Sequence, residues 1–431
     1  MQIQEQKAMN YVQSLFYPDV KELVGDFQIP VQKFIQQAIY GVIKTKSVIG
    51  QQIAMSLDEN ITLKKTCDRI YANLQRPYLY DKLMVSHMSK MAQEISDETP
   101  ILIDFSDIHK PSAEKMEGLA KVWDGSQHKP NPGYFTFQAS LCDPSNPQKL
   151  KLYYSDLFSI EEEGTSENEK IMEFTHQSAI LSGNKGIYIG DRGMDRSILI
   201  TDMIENDNSF IVRGNDRNLL YNGKMMHYCK IAEQVDLSTK VISKGRSFQA
   251  GIVEVAFKMP NSPERKHQRK RIAKLYLVVA KEKDKGYVYY LCRFRKEYSS
   301  DKILEMAVKY YGMRWGIEVI HQQVKTSFGW EKIQLLKYIS LKNMNALLWV
   351  AASFIYNEVS KITTYFIKNL GNKMVYRSLA KESKMNLIYR LTDIVSRLFG
   401  LFRLRPRKKY KGRYKKYLLK NQQFELVLNE F

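Results

Sequence analysis

Between Leu304 and Trp330 the chain reads LEMAVKYYGMRWGIEVIHQQVKTSFGW, and no other stretch so narrows what the rest must build. Wound at ~100° per residue, Tyr311, Arg314, Glu318 and Lys325 fall within roughly a 60° sector of one helix face. Met313, Ile317, Ile320 and Val324 cluster on a separate apolar face. Such a helix docks on a core along one side and holds a column of phenol, guanidinium, carboxylate and ammonium groups on another. Glu318 and Lys325 stand seven residues apart, about 10.5 Å along the axis and too far for a close ion pair. The pattern therefore reads as a carboxylate flanked by two cations with no near partner, which suits phosphate and metal. An ordinary solvated face is the rival reading of the same charges.

The sign of the whole chain favours the first reading. Its 66 Lys and Arg against 46 Asp and Glu leave a formal charge of +20 over 431 residues, which calls for a polyanionic partner, most often nucleic acid. At 44% hydrophobic the chain is rich enough for real cores, and its length allows two or three domains. Cys67, Cys142, Cys229 and Cys292 lie far apart with no C-x-x-C pair, which fits a reducing cytosol and excludes a cysteine-based zinc ribbon. The polar start MQIQEQKAMN is unlike a signal peptide, and the longest apolar run, Ala346 to Tyr356, is too short to cross a bilayer. No membrane partner is expected.

Periodicity divides the chain. Residues 1–95 read as helical, with Ser47 and Thr62 as caps of two helices joined by the turn DEN. That helix-turn-helix outline carries Lys64, Lys65 and Arg69 on its second helix, so 1–95 is read as a DNA-binding domain. Residues 96–215 alternate differently: ILIDFSD, YFTFQASLCD and KLYYSDLF read as strands, a helix runs from about Ser166 to Leu181, and GIYIGD and SFIVRG flank a helix from about Arg196 to Asn206. That order describes the first part of an α/β core with a mixed sheet. Residues 216–300 read as a β-rich insertion containing the basic loop of Arg265, Lys266, Arg269, Lys270 and Arg271, expected to meet DNA. The helix with Glu318 returns to the core over 301–335. Residues 336–431 read as helical and end in a basic tail, where ten of the eighteen residues from Arg403 to Lys420 are Lys or Arg, interleaved with Tyr410, Tyr414 and Tyr417.

Two more carboxylates end apolar runs. Asp104 follows Ile101-Leu102-Ile103, and Asp191 follows Ile187-Tyr188-Ile189-Gly190. An acid at the end of a buried strand needs a reason. Together with Glu318 the two supply three hard oxygen ligands, a set that binds a pair of Mg²⁺ or Mn²⁺ ions for in-line displacement at phosphorus. Asp107 and Asp195 read instead as turn or helix caps, Trp315 as packing, and His321 as a hydrogen-bonded helix-face histidine.

These residues carry a resemblance. The spacing Tyr311-x2-Arg314-x3-Glu318-x6-Lys325 matches the Y-R-E-K signature of bacterial insertion-sequence DDE transposases, and DFSDIHKP and IGDRGMDRS are similar to that family's first and second aspartate motifs. The resemblance covers roughly residues 45–360. It implies an RNase H-like catalytic core with a β-rich insertion, a helical N-terminal DNA-binding domain and a helical basic C-terminal region. It further implies that Asp104, Asp191 and Glu318 are the catalytic, metal-binding triad for two Mg²⁺ (or Mn²⁺) ions per active site, and that Tyr311, Arg314 and Lys325 hold backbone phosphates. The activity implied is cleavage at transposon ends and strand transfer into target DNA by a homodimer assembled on DNA, in a bacterial cytoplasm at the nucleoid. A transposase-derived DNA-binding repressor and a structure-selective nuclease on the same fold are the alternatives. Some relatives hold a flipped base with a tryptophan of the insertion. Here Trp123, Trp315, Trp330 and Trp349 all lie outside it, leaving Tyr287, Tyr289 and Tyr290 as its candidates.

Overall fold

Apolar runs ending in acids become the middle of one long mixed sheet in the computed structural model, which describes residues 2–124, 128–260, 271–283, 285–370 and 384–401. Five helices come first: α1 (Gln2–Val24), α2 (Ile29–Thr45), α3 (Gly50–Ser56), α4 (Leu63–Leu74) and α5 (Leu79–Ala92). Thr62 caps α4 as read, accepting from the Lys65 N–H at 3.4 Å. Ser47 does not cap α3: it accepts from the Ile49 N–H at 3.1 Å, and the helix starts only at Gly50.

The α/β segment follows as β1 (Pro100–His109), β2 (Ala120–Asp124), β3 (Lys129–Asp143), β4 (Asn146–Phe158), α6 (Ile160–Glu163), α7 (Glu167–Ser182), β5 (Ile187–Gly190), α8 (Ser197–Glu205) and β6 (Ser209–Arg213). Local chemistry sets these bounds. Ser166 and Glu169 form a reciprocal capping box at the start of α7, and Gly183 ends it in the left-handed region at φ 65°. β1 lies between β3, antiparallel, and β5, parallel; β6 continues parallel to β5, and β4 pairs with the far side of β3. The short strand β2, which the sequence reading misses, pairs with the start of β3.

The β-rich residues do not build a sheet of their own. β7 (Asn218–Tyr221), β8 (Lys224–His227), α9 (Tyr228–Ala232), β9 (Thr239–Ser243), β10 (Arg246–Lys258), β11 (Ile272–Glu282) and β12 (Tyr287–Arg293) follow in order. β12 pairs antiparallel with β6, and β11 and β10 extend the sheet outward from it. Twelve strands thus share one sheet. Most of the expected basic loop, including Arg265, Lys266, Arg269 and Lys270, lies outside the described residues, as does the basic tail.

The chain closes with α10 (Ser300–Met313), α11 (Trp315–Phe328), α12 (Tyr338–Leu370) and α13 (Lys384–Leu401). The N-terminal helices share a core with these last two. Phe16 packs edge-on against Phe354 and Phe399, the Tyr40 hydroxyl donates to the Phe399 carbonyl at 3.1 Å, and Lys46 pairs with Asp393 at 2.6 Å. A buried ionic knot pins α12 to the sheet: Asp156 on β4 meets Lys170 at 3.2 Å and Lys342 at 3.1 Å, and both lysines reach Glu163 at 2.7 Å. Each charge there has a counter-charge, the condition for burying any of them. No helix among the described residues is long and apolar enough to cross a membrane.

Candidate active site

Strand register brings the two aspartates together. Leu102 of β1 lies beside Ile189 of the parallel β5, so two residues further along each strand Asp104 comes level with Asp191. Both line one pocket at this end of the sheet, with Gly193 and Arg196. Asp191 caps a 3-10 turn (Arg192–Met194), accepting from the Gly193 N–H at 2.8 Å. Gly190 is required just before it, because a Cβ there would sit 2.1 Å from Met194 Sδ.

Glu318 arrives from the other side, on α11. The expected single helix is two: around Arg314 the hydrogen bonds tighten to Arg314 N–H to Tyr311 O at 3.1 Å and Ile317 N–H to Arg314 O at 3.0 Å. Arg314 itself keeps helical torsions, φ −51° and ψ −36°, so the polar column survives the break.

The partnerless Glu318 expected from sequence is corrected. Arg314 forks between two acids, one nitrogen on Glu318 and the other 3.3 Å from Asp104. Four residues is the helical spacing for such a pair, and the guanidinium supplies donors for both carboxylates at once. One cation does not neutralise three acids. Burial drives the Asp104 carboxyl up to about 7; Arg314 opposes this, while the charges of Asp191 and Glu318 add to it. The same acids raise the Arg314 guanidinium against its own desolvation. Among the described residues no three acid, histidine or cysteine side chains stand close enough together to hold a metal ion. The chemistry of the donor set nonetheless fits a divalent cation: buried Asp104 feels the negative charges of both Asp191 and Glu318, and these hard oxygen acids outnumber the one guanidinium paired with two of them.

The rest of the column is differently engaged. Tyr311 leans on Tyr290 of β12, with ring centroids 5.1 Å apart, and the Arg213 guanidinium lies 5.8 Å over its ring. Lys325 is not free: its ammonium is 3.7 Å from Asp107 and 3.3 Å from Glu331. Asp107 is no cap, since it lies within β1 and also meets His109 at 2.9 Å. Asp195 closes the 3-10 turn with its backbone, donating its N–H to the Arg192 carbonyl at 3.2 Å, but its side chain caps no helix start and is wholly buried against Arg217 at 2.6 Å. Trp315 is not packed but 61% exposed, beside Arg314. His321 is buried with its Nε2 unpartnered among the described residues, and burial takes its imidazole down to about 3. Tyr290 is core, Tyr289 stacks on Tyr228 at 5.3 Å, and of the three candidate tyrosines Tyr287 is the exposed one.

The N-terminal candidates fall elsewhere. Lys64 and Lys65 are exposed on α4, whereas Arg69 is tied to Glu59 at 2.7 Å and to the Gln37 side chain at 3.2 Å. Arg271 pairs with Glu205. One cation escaped the sequence reading. Lys244 and Gly245, at φ 50° and 73°, form the two-residue turn between β9 and β10. That turn docks beside the column, because a Cβ on Gly312 would sit 2.5 Å from Ser243 Oγ. Partial burial lowers the Lys244 ammonium, and Glu318 is among the charges that oppose the shift. The signal was the Lys-Gly dipeptide between apolar runs; its landing point was not legible.

The chain matches no protein-family model, and no curated protein matches it either.

Proposed function

We propose that this chain is a DDE transposase: a metal-dependent enzyme with an RNase H-like core that cuts DNA at the ends of its element and joins them to a target, acting at the nucleoid in a bacterial cytoplasm. One observation carries the reading. Asp104 on β1 and Asp191 at the end of the adjacent parallel β5 line one pocket, and Glu318 on a docked helix shares the Arg314 guanidinium with Asp104, whose carboxyl is pushed up to about 7. The strand order β4-β3-β1-β5-β6, three antiparallel strands followed by two parallel ones, supports an RNase H-like core. The charge of +20 supports a DNA substrate.

Asp104, Asp191 and Glu318 would hold two Mg²⁺ or Mn²⁺ ions, which when bound polarise the scissile phosphate and activate the attacking hydroxyl. The chain's own groups supply the rest. Arg314 balances the acids until a phosphate oxygen offers its fork a second partner. The Tyr311 hydroxyl, Lys325 and Lys244 line the path of a backbone beside Glu318. Trp315, exposed at the same bend, offers a face for a base. Two ends must be held for joining, so we propose a homodimer assembled on DNA.

The test is Mg²⁺-dependent nicking of duplexes carrying the nucleotides that flank the gene. Cleavage is expected from the native protein and lost in Asp104→Asn, Asp191→Asn and Glu318→Gln, with DNA binding retained. Native-level cutting by any one variant removes that residue from the triad. The pairing of Arg314 with two of the acids, and the lack of a ready metal cluster among the described residues, favour one rival. A repressor derived from such an enzyme would bind the ends and never nick them. Cutting without end preference or joining would indicate a nuclease.

A further inference from the structure

Four residues after Asp191 the chain buries another acid, and both side chains that receive it, Arg217 and Tyr228, come from the β-rich segment, with the Asn215 N–H just before it. The Asp195 side chain is 0% exposed. One carboxylate oxygen accepts from Arg217 Nε at 2.6 Å; the other accepts from the Asn215 N–H at 2.9 Å and the Tyr228 hydroxyl at 3.1 Å. Arg217 also donates through Nη2 to the Asp195 carbonyl at 3.1 Å and through Nη1 to the Ser197 hydroxyl at 3.0 Å. Its guanidinium lies 5.0 Å over the Phe257 ring of β10. Tyr228 is fully buried and stacked on Tyr289 of β12. Gly214 allows the close approach, since a Cβ there would meet the Tyr228 ring at 2.8 Å and Tyr289 Cβ at 3.0 Å.

An ion pair buried this deeply is poor evidence for stability, because apolar side chains of similar size would do as well. What it supplies is direction. The loop from Asp191 to Asp195 is fixed at its start by β5, in its middle by buried Met194, and at its end by Asp195. Were Asp195 released, the turn that accepts through Asp191 from the Gly193 N–H would lose its far anchor.

We propose that Asp195 and Arg217 are positioning residues: through them the β-rich segment holds the Asp191 carboxylate in the orientation that a shared cation requires. This rests on the functional reading above. It gives residues 215–228 a task at the triad that needs no contact with DNA. Groups hydrogen-bonded directly to a ligand typically set metal affinity by about 10–100-fold; Asp195 and Arg217 act on Asp191 through the backbone of the turn, so the lower end of that range is expected.

The experiment uses the full chain and reads Mn²⁺ binding by calorimetry, the Mg²⁺ concentration for half-maximal cleavage, DNA affinity and Tm. Arg217→Lys keeps the charge without the fork, and Tyr228→Phe removes one hydroxyl donor. Asp195→Asn combined with Arg217→Gln removes both charges, so that no ion is left buried alone. Expected in the double variant is Mn²⁺ affinity down about tenfold or more, a Mg²⁺ requirement raised to match, and DNA affinity unchanged. Arg217→Lys should fall between it and the native protein, and Tyr228→Phe should show the smallest shift. Folded variants that bind Mn²⁺ and use Mg²⁺ like the native protein overturn the proposal, as does a loss of Tm and DNA affinity with the metal requirement unmoved. A native protein that neither binds Mn²⁺ nor cleaves overturns the functional reading itself, and the positioning role with it. That result is distinguished by appearing before any variant is made.

Discussion

Two ion clusters sit three residues apart on β1, and they are built to different balances. At Asp104 two carboxylates, Asp104 and Glu318, share Arg314 while Asp191 adds a third negative charge, and burial with this repulsion holds Asp104 up near 7. At Asp107 two carboxylates, Asp107 and Glu331, share Lys325, and His109 stands within 2.9 Å of Asp107. The first cluster sets three acids against one guanidinium; the second sets two acids against a lysine that contacts both, with a histidine beside one of them. A divalent cation therefore gains far more at the first, where it relieves repulsion, than at the second, where it would have to displace a satisfied lysine. A pair of acids beside a cation is common on protein surfaces. The surplus is what separates a catalytic candidate from a structural tie.

The largest effect should separate the clusters outright. Neutralising Asp104, Asp191 or Glu318 should cost cleavage about a thousandfold or more, several kcal/mol of barrier. Asp107→Asn should stay within about tenfold of the native rate, since it loosens Lys325 without removing a ligand. Single-turnover cleavage measures both. Equal losses at Asp104 and Asp107 would erase the distinction.

Arg314 sharpens it. If this guanidinium stands where a cation belongs, Arg314→Gln should bind Mn²⁺ more tightly without DNA, by about tenfold, roughly one pKa unit's worth of charge interaction. The same variant should cleave DNA more slowly, because the fork for phosphate is gone. Calorimetry and cleavage moving in opposite directions is the signature; both falling together would make Arg314 a purely structural strut.

The pH dependence of stability follows from Asp104. Its carboxyl is raised, so its contribution is fully present below the ordinary carboxylate range and is lost as pH rises through about 7. A bound divalent cation should restore that loss. Adding Mg²⁺ should therefore raise Tm more at pH 8 than at pH 6, and Asp104→Asn should abolish the difference while Asp107→Asn keeps it. The smallest effect belongs to Lys325: Lys325→Ala should weaken DNA binding a few-fold and reduce the salt slope by about one. An unchanged slope would leave Lys325 with its intramolecular acids alone.

The sequence carried the acids better than their surroundings. Asp104 and Asp191 were legible because apolar runs ended in a charge, and the turns of an α-helix grouped Tyr311, Arg314, Glu318 and Lys325 on one face. The same spacing contained the Arg314–Glu318 pair, which a comparison of Glu318 with Lys325 alone overlooks. Asp107 and Asp195 show the other limit. Asp107 stands shortly before His109-Lys110-Pro111 and Asp195 just before a helix start, so local propensity assigns them to caps. Yet Asp107 is held within a strand by pairing to Phe135 of β3, and Asp195 is claimed by Arg217, 22 residues onward, and by Tyr228, 33 residues onward. Nothing in a short window encodes those meetings. The β-rich segment was legible as strands, whereas its continuity with the core sheet depends on β12 reaching β6 across the chain.

Anomalous diffraction at the manganese edge, from crystals grown or soaked in Mn²⁺, tests the central claim most directly. The account predicts manganese peaks bounded by the carboxylates of Asp104, Asp191 and Glu318, with the Arg314 fork moved off at least one of them. Crystals in saturating Mn²⁺ that show no peak there, and Arg314 still bridging Asp104 and Glu318, would contradict it.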